Sequence, residues 1–309
     1  MKKIISTNGM VTKYLHDNGT ETSFKKQLSG QYDSSLDYPD FKNKQKYSLV
    51  LSCSHGCQLS CSFCHLTQNN KQFKKISAED VILNIKSVIE DQVTEDPTLK
   101  NRYIKLCWMG EGEPLLNYEM IRYVTEEILY WVKDNQYAKG LDGVDISTSM
   151  PKVKREVIDD LNDFNKCLLQ FNKNPNNIEK TPLRLFYSLH SVKDEIRSEM
   201  MPKTINIHDA VLNMKHVSHV FGIDTIFHYT WINGKNDSSE DVDNLIKFWI
   251  ANNLSKSQLR ILRYNSGLNK DQESGNLSEI VSKLKKSIPN LKVQHSAGKD
   301  VQSSCGMFN

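Results

Sequence analysis

The stretch SCSHGCQLSCSFCHL (52–66) holds four of the seven cysteines of this 309-residue chain. Cys57, Cys61 and Cys64 form the pattern Cys-x3-Cys-x2-Cys. Three thiolates in one compact loop can bind three irons of a 4Fe–4S cluster, and the fourth iron then stays open to a small molecule. The segment YSLVLSC (47–53) has the apolar character of a buried strand. The cysteine loop is therefore predicted to follow the first strand of the core.

Two plainer interpretations of the cysteines stay open at this point. A structural zinc site would need a fourth ligand, which His55 or His65 could supply, although neither histidine gives a standard zinc-finger spacing. Buried free thiols can also lie together by chance. The cluster is favoured because the loop follows a strand and because further motifs follow the later strands.

The composition indicates a globular protein in a reducing compartment. Hydrophobic residues make up 38% of the chain and charged residues 25%, and the net charge of +3 permits a nucleic-acid substrate without requiring one. No apolar run approaches the roughly 18 residues that span a bilayer, and no signal peptide is recognisable. The odd number of cysteines argues against a disulfide framework. We expect a cytoplasmic protein with no membrane association.

Strand patterns alternate with helix patterns from residue 47 onward. The predicted strands are 47–53, 102–110, 143–149, 183–190, 224–232, 258–264 and 291–296, and the predicted helices are 77–93, 118–135, 151–163, 206–221, 239–252 and 276–287. This alternation indicates an α/β fold with a parallel sheet, and about six such units predict a partial (β/α)6 barrel of the TIM-like type. Residues 1–46, polar and irregular, are expected to form an N-terminal extension with little core, residues 47–296 the barrel, and residues 297–309 a tail.

Polar motifs follow several predicted strands at the point where each strand ends. The cysteine loop is joined there by GEGEP (110–114), STS (147–149), SLH (188–190) and YN (264–265). In parallel α/β folds the working residues lie just beyond the carboxyl ends of the strands. We therefore expect these motifs to converge on one site.

Longer motifs carry a resemblance to a known family. They are WMGEGEPLLN (108–117), ISTS (146–149), YSLHS (187–191), NDSSED (236–241) and a near-terminal CG (305–306). Together with the cysteine pattern, and in this order along nearly the whole chain, they resemble the RlmN/Cfr family of radical-SAM RNA methyltransferases. The resemblance implies a radical-SAM barrel with one 4Fe–4S cluster bound by Cys57, Cys61 and Cys64. It also implies that S-adenosylmethionine (SAM) binds the open iron and that an adenine carbon of ribosomal or transfer RNA is methylated.

The resemblance further implies which residues contact SAM. Gly112 and Glu113 match the family's Gly-Glu turn, whose backbone and carboxylate accept the amino group of the methionyl moiety. The other matching positions are Ser147, Ser188, Leu189, His190 and Asn265. Taken alone, each of these is more readily a core or capping residue. As an ordered set at strand ends, they indicate a SAM site.

Cys305, in SSCGMFN (303–309), decides the reaction that the resemblance implies. Family members methylate a cysteine at this position with one SAM. A second SAM yields a 5′-deoxyadenosyl radical, which removes hydrogen from that methyl group. The resulting methylene radical adds to carbon 2 or carbon 8 of adenine, which is not a nucleophile and cannot attack SAM itself. The plainer alternative is that Cys305 is a stray thiol in a frayed tail.

The family's second functional thiol has no counterpart at the matching position. In the family a cysteine seven residues before the first cluster cysteine helps to deprotonate the RNA adduct and resolves it by forming a disulfide with the methyl carrier; here that residue is Val50. The nearest thiol is Cys53. An odd offset along a regular strand points to the opposite face, so Cys53 can substitute as the resolving thiol only if the strand ends before it. Glu21 resembles a glutamate in a functional segment of the family.

The resemblance implies an RNA substrate, a reductase such as flavodoxin or ferredoxin, and a monomeric enzyme. The family's helical RNA-binding accessory domain is expected to be absent, because the sequence starts close to the predicted barrel. An alternative is a radical-SAM enzyme of the same fold that acts on a different, non-rRNA substrate, which Val50 makes credible. A third hypothesis is a non-catalytic iron–sulfur or SAM-binding regulator, against which the intact cysteine triad argues.

Overall fold

A computed structural model of the chain describes ten strands that form one sheet. The described residues are 1–27, 46–171, 182–267, 270–294, 296–304 and 307–308. Within them the strands lie side by side in chain order. They are β1 (Lys2–Ile5), β2 (Val11–Leu15), β3 (Glu21–Gln27), β4 (Lys46–Leu51), β5 (Tyr103–Trp108), β6 (Gly140–Thr148), β7 (Leu183–Ser188), β8 (Asp224–Thr230), β9 (Gln258–Leu262) and β10 (Leu291–Gln294).

Helices connect the parallel strands β4 to β10. In the described part of the chain they are α1 (His65–Gln68), α2 (Ala78–Glu95), α3 (Tyr118–Asp134), α4 (Arg155–Leu169), α5 (Asp194–Met200), α6 (Ile207–Phe221), α7 (Ser239–Ala251) and α8 (Leu277–Ser287). Each of the six connections carries at least one helix, so the predicted partial (β/α)6 barrel of the TIM-like type is confirmed. None of the helices in these ranges is both long and apolar enough to cross a membrane.

The N-terminal residues differ from the prediction. The sequence predicts an irregular segment with little core over residues 1–46, and this is wrong for residues 1–27, where β1, β2 and β3 add an antiparallel edge to the sheet. Tyr14 and Phe24 of these strands are buried in the main core. These strands are difficult to predict from the sequence because Lys, Ser and Thr surround their few apolar residues, as in ETSFKKQ of β3. Residues 28–45 lie outside the described part of the chain.

The two faces of the parallel strands differ in chemistry, because side chains alternate along each strand. One face carries apolar residues such as Leu106, Ile146 and Leu185, which belong to the same core as the apolar sides of the helices. We call the opposite face the inner face, because the helices cover the first one. It carries mostly polar and charged side chains at paired positions of neighbouring strands, among them Lys105, Cys107, Asp145, Arg184, His228 and Arg260.

The described part of the C-terminal tail is attached to the N-terminal strands. Asp300 Oδ2 accepts a hydrogen bond from Thr7 N at 2.7 Å, and Lys25 Nζ donates to Ser303 O at 3.2 Å. Ser303 and Phe308 are buried. At these positions the tail is packed rather than frayed. The boundaries of the tail and of the extension as separate units stay predictions.

Buried ion pairs link β4, β6 and β7. Lys46 Nζ lies 2.8 Å from Asp142 Oδ2, and Arg184 Nη2 lies 3.7 Å from the same oxygen. Burial by itself would raise the pKa of Asp142, but the two cations outweigh it and lower this pKa to about 2. Asp142 is therefore ionised at neutral pH, and its charge is balanced inside the protein.

We expect Asp142→Asn to lower the free energy of unfolding by about 3 kcal/mol at neutral pH, because it leaves the buried Lys46 ammonium without its partner. A carboxyl group whose pKa is lowered on folding stabilises the protein above its unfolded pKa of 3.8, and this contribution is lost as the pH falls toward about 2. The difference between the two proteins should therefore shrink at acid pH. Urea unfolding at a series of pH values measures it.

Asp163→Asn is the matched control for this prediction. Asp163 forms an exposed pair with Lys166 at 2.9 Å, and solvent screens such pairs so that they contribute little to stability. The control should change stability little at any pH. Similar losses for the two variants, or a loss for Asp142→Asn that does not depend on pH, would contradict the role given to the buried pair.

Candidate functional site

The cysteine loop follows β4 directly and leads into α1. Its thiols Cys57, Cys61 and Cys64 are half-buried and unbridged, and a turn is closed by Cys64 N donating to Cys61 O at 3.1 Å. Burial raises the pKa of Cys57 to about 12 and raises those of Cys61 and Cys64 as well. The thiols therefore keep their protons at neutral pH until a metal displaces them.

The donors of this loop fit a 4Fe–4S cluster better than a zinc ion. Three thiols supply three corners of such a cluster and leave one iron for SAM. The histidines that a zinc site would need are engaged elsewhere: His55 Nδ1 lies 3.0 Å from Gly19 O, and His65 Nε2 lies 3.2 Å from Asn265 O. Among the described residues, no three His, Cys, Asp or Glu side chains converge where one metal ion could bind.

The Gly-Glu turn after β5 approaches the cysteine loop closely. Gly112 has φ of +97°, and a Cβ atom there would lie 2.3 Å from Ser54 Oγ and 2.6 Å from Cys53 Sγ, so only glycine fits this position. Glu113 is buried and accepts hydrogen bonds from Leu115 N, Thr148 Oγ1 and Ser149 N at 3.1, 2.6 and 3.0 Å. Burial nevertheless raises its pKa to about 7. The turn thus holds a buried carboxylate poised between its two protonation states.

The Ser-Thr-Ser segment at the end of β6 is joined to its neighbours on both sides. Thr148 and Ser149 bind Glu113, and Ser147 is the strand partner of Phe186 on β7. The buried Arg197 of α5 donates to Ser149 O at 2.8 Å and to Ser188 O at 3.4 Å. Arg197 thereby ties the ends of β6 and β7 together, a role that no sequence motif indicates.

His190 connects the Ser-Leu-His turn to the cysteine loop. Its ring packs edge-on against Phe63, with centroids 5.0 Å apart, and its Nδ1 accepts a hydrogen bond from Thr230 N at 3.1 Å. Burial and the nearby Arg197 lower the pKa of His190 to about 3. The imidazole is therefore neutral, with its proton on Nε2. Leu189, beside it, is fully buried and anchors the turn through a backbone hydrogen bond to β8.

The expected convergence of the strand-end motifs is present in the geometry. Glu113 meets the Ser-Thr-Ser segment, His190 meets Phe63 of the cysteine loop, and Asn265 meets His65 at the end of the same loop. Ser188 is half-buried beside them. That these residues contact SAM stays a prediction.

Cys53 and Val50 lie on different sides of β4. Cys53 follows the end of the strand, is buried in the main core, and its Sγ lies 3.4 Å from Glu111 O and 3.6 Å from Asn117 Nδ2. Burial raises its pKa well above the usual value. Val50 instead packs in a separate group with Leu66, Cys107 and Phe308, which we call the inner cluster. Cys53 as a resolving thiol stays a prediction that this arrangement does not favour, and Cys305 lies outside the described residues.

Glu21 lies on β3 at the edge of the site and already has a partner. Its carboxylate is 2.8 Å from Lys13 Nζ, and both side chains are 4% exposed. Its backbone oxygen accepts a hydrogen bond from Ser52 Oγ, at the start of the cysteine loop, at 2.6 Å. Glu21 thus borders the site through a buried ion pair, and a catalytic role for it stays a prediction.

Glu111 is a buried carboxylate that the motif analysis does not single out. It is 1% exposed, and its Oε2 accepts from Gly56 N at 2.7 Å and pairs with Lys71 Nζ at 2.9 Å. Burial raises its pKa to about 7, although Lys71 acts to lower it. Because Gly56 precedes Cys57, Glu111 fixes the start of the cysteine loop against the Gly-Glu turn. A second charge between the glycines of GEGEP is the sequence signal that could have indicated this.

Comparison with known proteins shows what the chain is similar to. The family model described as the Radical SAM superfamily matches residues 51–248. The dual-specificity RNA methyltransferase RlmN of Aliarcobacter butzleri is 25% identical over 100% of this chain and 79% of its own length. The protein of the same name from Roseobacter denitrificans is 23% identical over 99% of this chain and 73% of its own.

A solved structure shares the fold over nearly the whole chain. The crystal structure of a radical SAM methyltransferase from Sphaerobacter thermophilus superposes with a TM-score of 0.70 at 20% identity, covering 99% of this chain and 80% of that one. At this identity the likeness concerns the fold alone.

Glu113 is predicted to accept the amino group of SAM, so we expect Glu113→Gln to weaken SAM binding to the cluster-loaded protein by about tenfold or more. With a pKa of about 7, the Glu113 carboxyl group becomes protonated as the pH falls below neutral. SAM affinity of the wild-type protein should therefore fall on mild acidification, whereas that of the variant should change less. Isothermal titration calorimetry at several pH values measures both effects.

Glu119→Gln serves as the control, since Glu119 is an exposed carboxylate in the first turn of α3. Thermal unfolding of both variants shows whether the fold is retained when Thr148 and Ser149 lose part of their partner. Equal SAM affinity of the wild-type protein and Glu113→Gln would show that Glu113 has only a structural role.

Proposed function

Because the chain belongs to the radical SAM superfamily, we propose that it is a radical-SAM methyltransferase of the RlmN/Cfr type, which methylates an adenine carbon in RNA through Cys305. The observation that carries the proposal is the meeting of the cysteine loop, the Glu113 turn and the His190 turn at one edge of the sheet. Two RNA methyltransferases that match at least 99% of the chain support the choice of substrate class. The enzyme uses one 4Fe–4S cluster and SAM.

The described residues divide the work of binding these two groups. Cys57, Cys61 and Cys64 hold the cluster, and Gly112 and Glu113 hold the amino end of SAM. The residues that line the rest of the SAM site are Ser147, Ser188, Leu189, His190 and Asn265. When bound, the cluster and SAM together supply a one-electron cleavage of a carbon–sulfur bond. The buried, neutral His190 contributes no charge to this site at any pH near neutrality.

Cys305 is assigned as the methyl carrier from its place in the near-terminal Cys-Gly motif. A covalent carrier is needed because carbon 2 or carbon 8 of adenine is electron-poor and does not attack the methyl group of SAM. A methyl group on a thiol can instead be activated on the enzyme and then joined to the RNA. The buried Ser304 and Phe308 near Cys305 in the sequence support a tail that works at the barrel rather than in solvent.

The partners follow from this chemistry. Ribosomal or transfer RNA is the proposed substrate, and the exposed Lys74 and Lys75 after the cysteine loop offer positive charge to its phosphates. A flavodoxin or ferredoxin would supply the electron that starts the reaction. We place the enzyme in the cytoplasm as a monomer.

A second candidate is a radical-SAM enzyme of the same fold with a different, non-rRNA substrate. The observation that favours it is the valine at position 50, on the inner face beside Phe308, where the resemblance calls for a thiol. The two candidates share the cluster and SAM. They differ in whether Cys305 becomes methylated and in whether an adenine of the RNA is methylated.

The proposal is tested with protein reconstituted anaerobically and given SAM, dithionite and total RNA from cells that lack the gene. We expect 5′-deoxyadenosine, an added methyl group on Cys305 by peptide mass spectrometry, and a methylated adenine in the RNA digest. Cys57→Ala, Cys61→Ala and Cys64→Ala should each lose iron and 5′-deoxyadenosine formation, because each removes a ligand. Cys305→Ala should form no methylated adenine.

Cys167→Ala is the matched control, because Cys167 lies at the end of α4, far along the chain from the four site cysteines, and is partly exposed. It should behave as the wild-type protein does. Formation of 5′-deoxyadenosine with an unmodified Cys305 would favour the second candidate. If no 5′-deoxyadenosine forms at all, both candidates are wrong.

A further inference from the structure

Cys107 is the direct strand neighbour of Val50. β4 and β5 run parallel, and Val50 and Cys107 are paired in their register. Paired residues of adjacent parallel strands point to the same face, with the strands about 4.8 Å apart. A thiol on Cys107 therefore occupies nearly the same part of the inner face as the side chain of residue 50.

The surroundings of Cys107 place it between the tail and the cysteine loop. It packs in the inner cluster with Val50, Leu66 and Phe308, and Cys57 and Cys64 border this cluster. Phe308 comes from the tail, and the two cysteines come from the loop that holds the metal. Within the inner cluster of the described residues, Cys107 is the residue with a reactive side chain.

The tail reaches this position through residues on both sides of Cys305. Ser304 and Phe308 line one cavity together with Val50 and Met109. Cys305 lies outside the described residues, but it follows Ser304 in the chain, and one residue spans at most about 3.6 Å. The described residues on either side of Cys305 thus lie beside the inner cluster.

We propose that Cys107 is the second thiol of the reaction, which releases the methylated RNA from Cys305. This inference rests on the proposed function. It places the releasing thiol on β5. At the position on β4 that the resemblance indicates, the sequence has Val50, and the nearest thiol in the sequence is Cys53, just beyond the end of that strand. Cys53 is unsuited because it is buried in the main core, hydrogen-bonded to Glu111 O and Asn117.

The step can be written with its atoms and electrons balanced. The Cys107 sulfur attacks the Cys305 sulfur of the thioether Cys305–S–CH2–RNA, so that an S–S bond forms and the S–CH2 bond breaks. The electron pair of the broken bond goes to the carbon and is delocalised over the ring nitrogens, and the proton lost from the Cys107 thiol ends on that carbon. The two sulfurs are oxidised to a disulfide while the carbon is reduced to methyl. A dithiol reductant then restores both thiols for the next turnover.

Polar groups next to Cys107 hold its thiol in a fixed orientation. The thiol donates to Asp145 Oδ2 at 3.9 Å, and Asp145 is itself held by Lys105 and Arg184, which lie on β5 and β7. The carboxylate is thus a fixed hydrogen-bond acceptor that orients the thiol, and Arg184 and Lys105 keep it ionised inside the protein. These groups belong to the inner face and have no part in holding the cluster or SAM.

The test uses the cluster-loaded full chain with SAM, dithionite and the total RNA described above. Cys107→Ser, which keeps the volume of the side chain, should lower methylated adenine by about 100-fold or more and accumulate protein covalently joined to RNA, seen as a band that survives denaturation. Adding Val50→Cys to this variant should restore release, because a thiol then returns to the neighbouring position. Adding Val50→Ala instead should not. In the wild-type protein, peptide mapping after one turnover without dithiol should find a Cys107–Cys305 disulfide.

The controls separate this inference from the proposed function. Cys53→Ala and Cys167→Ala should release RNA as the wild-type protein does. If wild-type Cys305 gains no methyl group, the proposed function is wrong. If Cys305 gains a methyl group and Cys107→Ser still forms methylated adenine without a protein–RNA adduct, only the role of Cys107 is wrong. A protein–RNA adduct that accumulates in Cys53→Ala would also contradict the role of Cys107. Should Cys107→Ser unfold, the absence of the Cys107–Cys305 disulfide in the wild-type protein would still refute the inference.

Discussion

The parallel pairing of β4 to β10 is the constraint on which the site depends, because it brings the carboxyl ends of all these strands to one edge of the sheet. The hydrogen bonds between neighbouring strands fix where each strand ends relative to the next. The position of the motif that follows each strand is therefore fixed as well. Glu113 shows the effect: its partners are Thr148, the last residue of β6, and Ser149, which follows it, whereas the turn of Glu113 itself follows β5. A carboxylate that is buried this deeply is stable only because the neighbouring strand presents donors at the same height.

Ion pairs of buried carboxylates with Lys or Arg are the second feature that fixes the site, and they lie both on the inner face and at the edge of the sheet. On the inner face Asp142 and Asp145 are balanced by Lys46, Lys105 and Arg184. At the edge, Glu111 with Lys71 and Glu21 with Lys13 join the cysteine loop to the Gly-Glu turn and to the N-terminal strands. Such pairs contribute little net stability, but removing one partner is costly. They therefore act as positional constraints, which suits a site whose loops must hold a metal cluster in place.

The sequence predicted those features whose signal lies along the chain and missed those that depend on pairing between strands. The Cys57, Cys61 and Cys64 spacing and the alternation of strands and helices are local patterns, and the barrel they predict is present. The strands in residues 1–27 were missed because an antiparallel edge rich in lysine and threonine has a weak hydrophobic alternation. The pairing of Cys107 with Val50 could not be predicted from the sequence, because it depends on the register of β4 and β5, which are separated in the chain by the 51 residues from 52 to 102. Cys53 is predicted as the substitute thiol only because it is close to Val50 in the sequence.

The packing of the tail has a consequence for the metal-binding loop. The inner cluster contains Phe308 from the tail and borders Cys57 and Cys64 of the metal-binding loop. A cluster held by these cysteines would be covered on one side by a residue from the far end of the polypeptide. The packing of Phe308 in the inner cluster thus limits how solvent reaches that side of the loop.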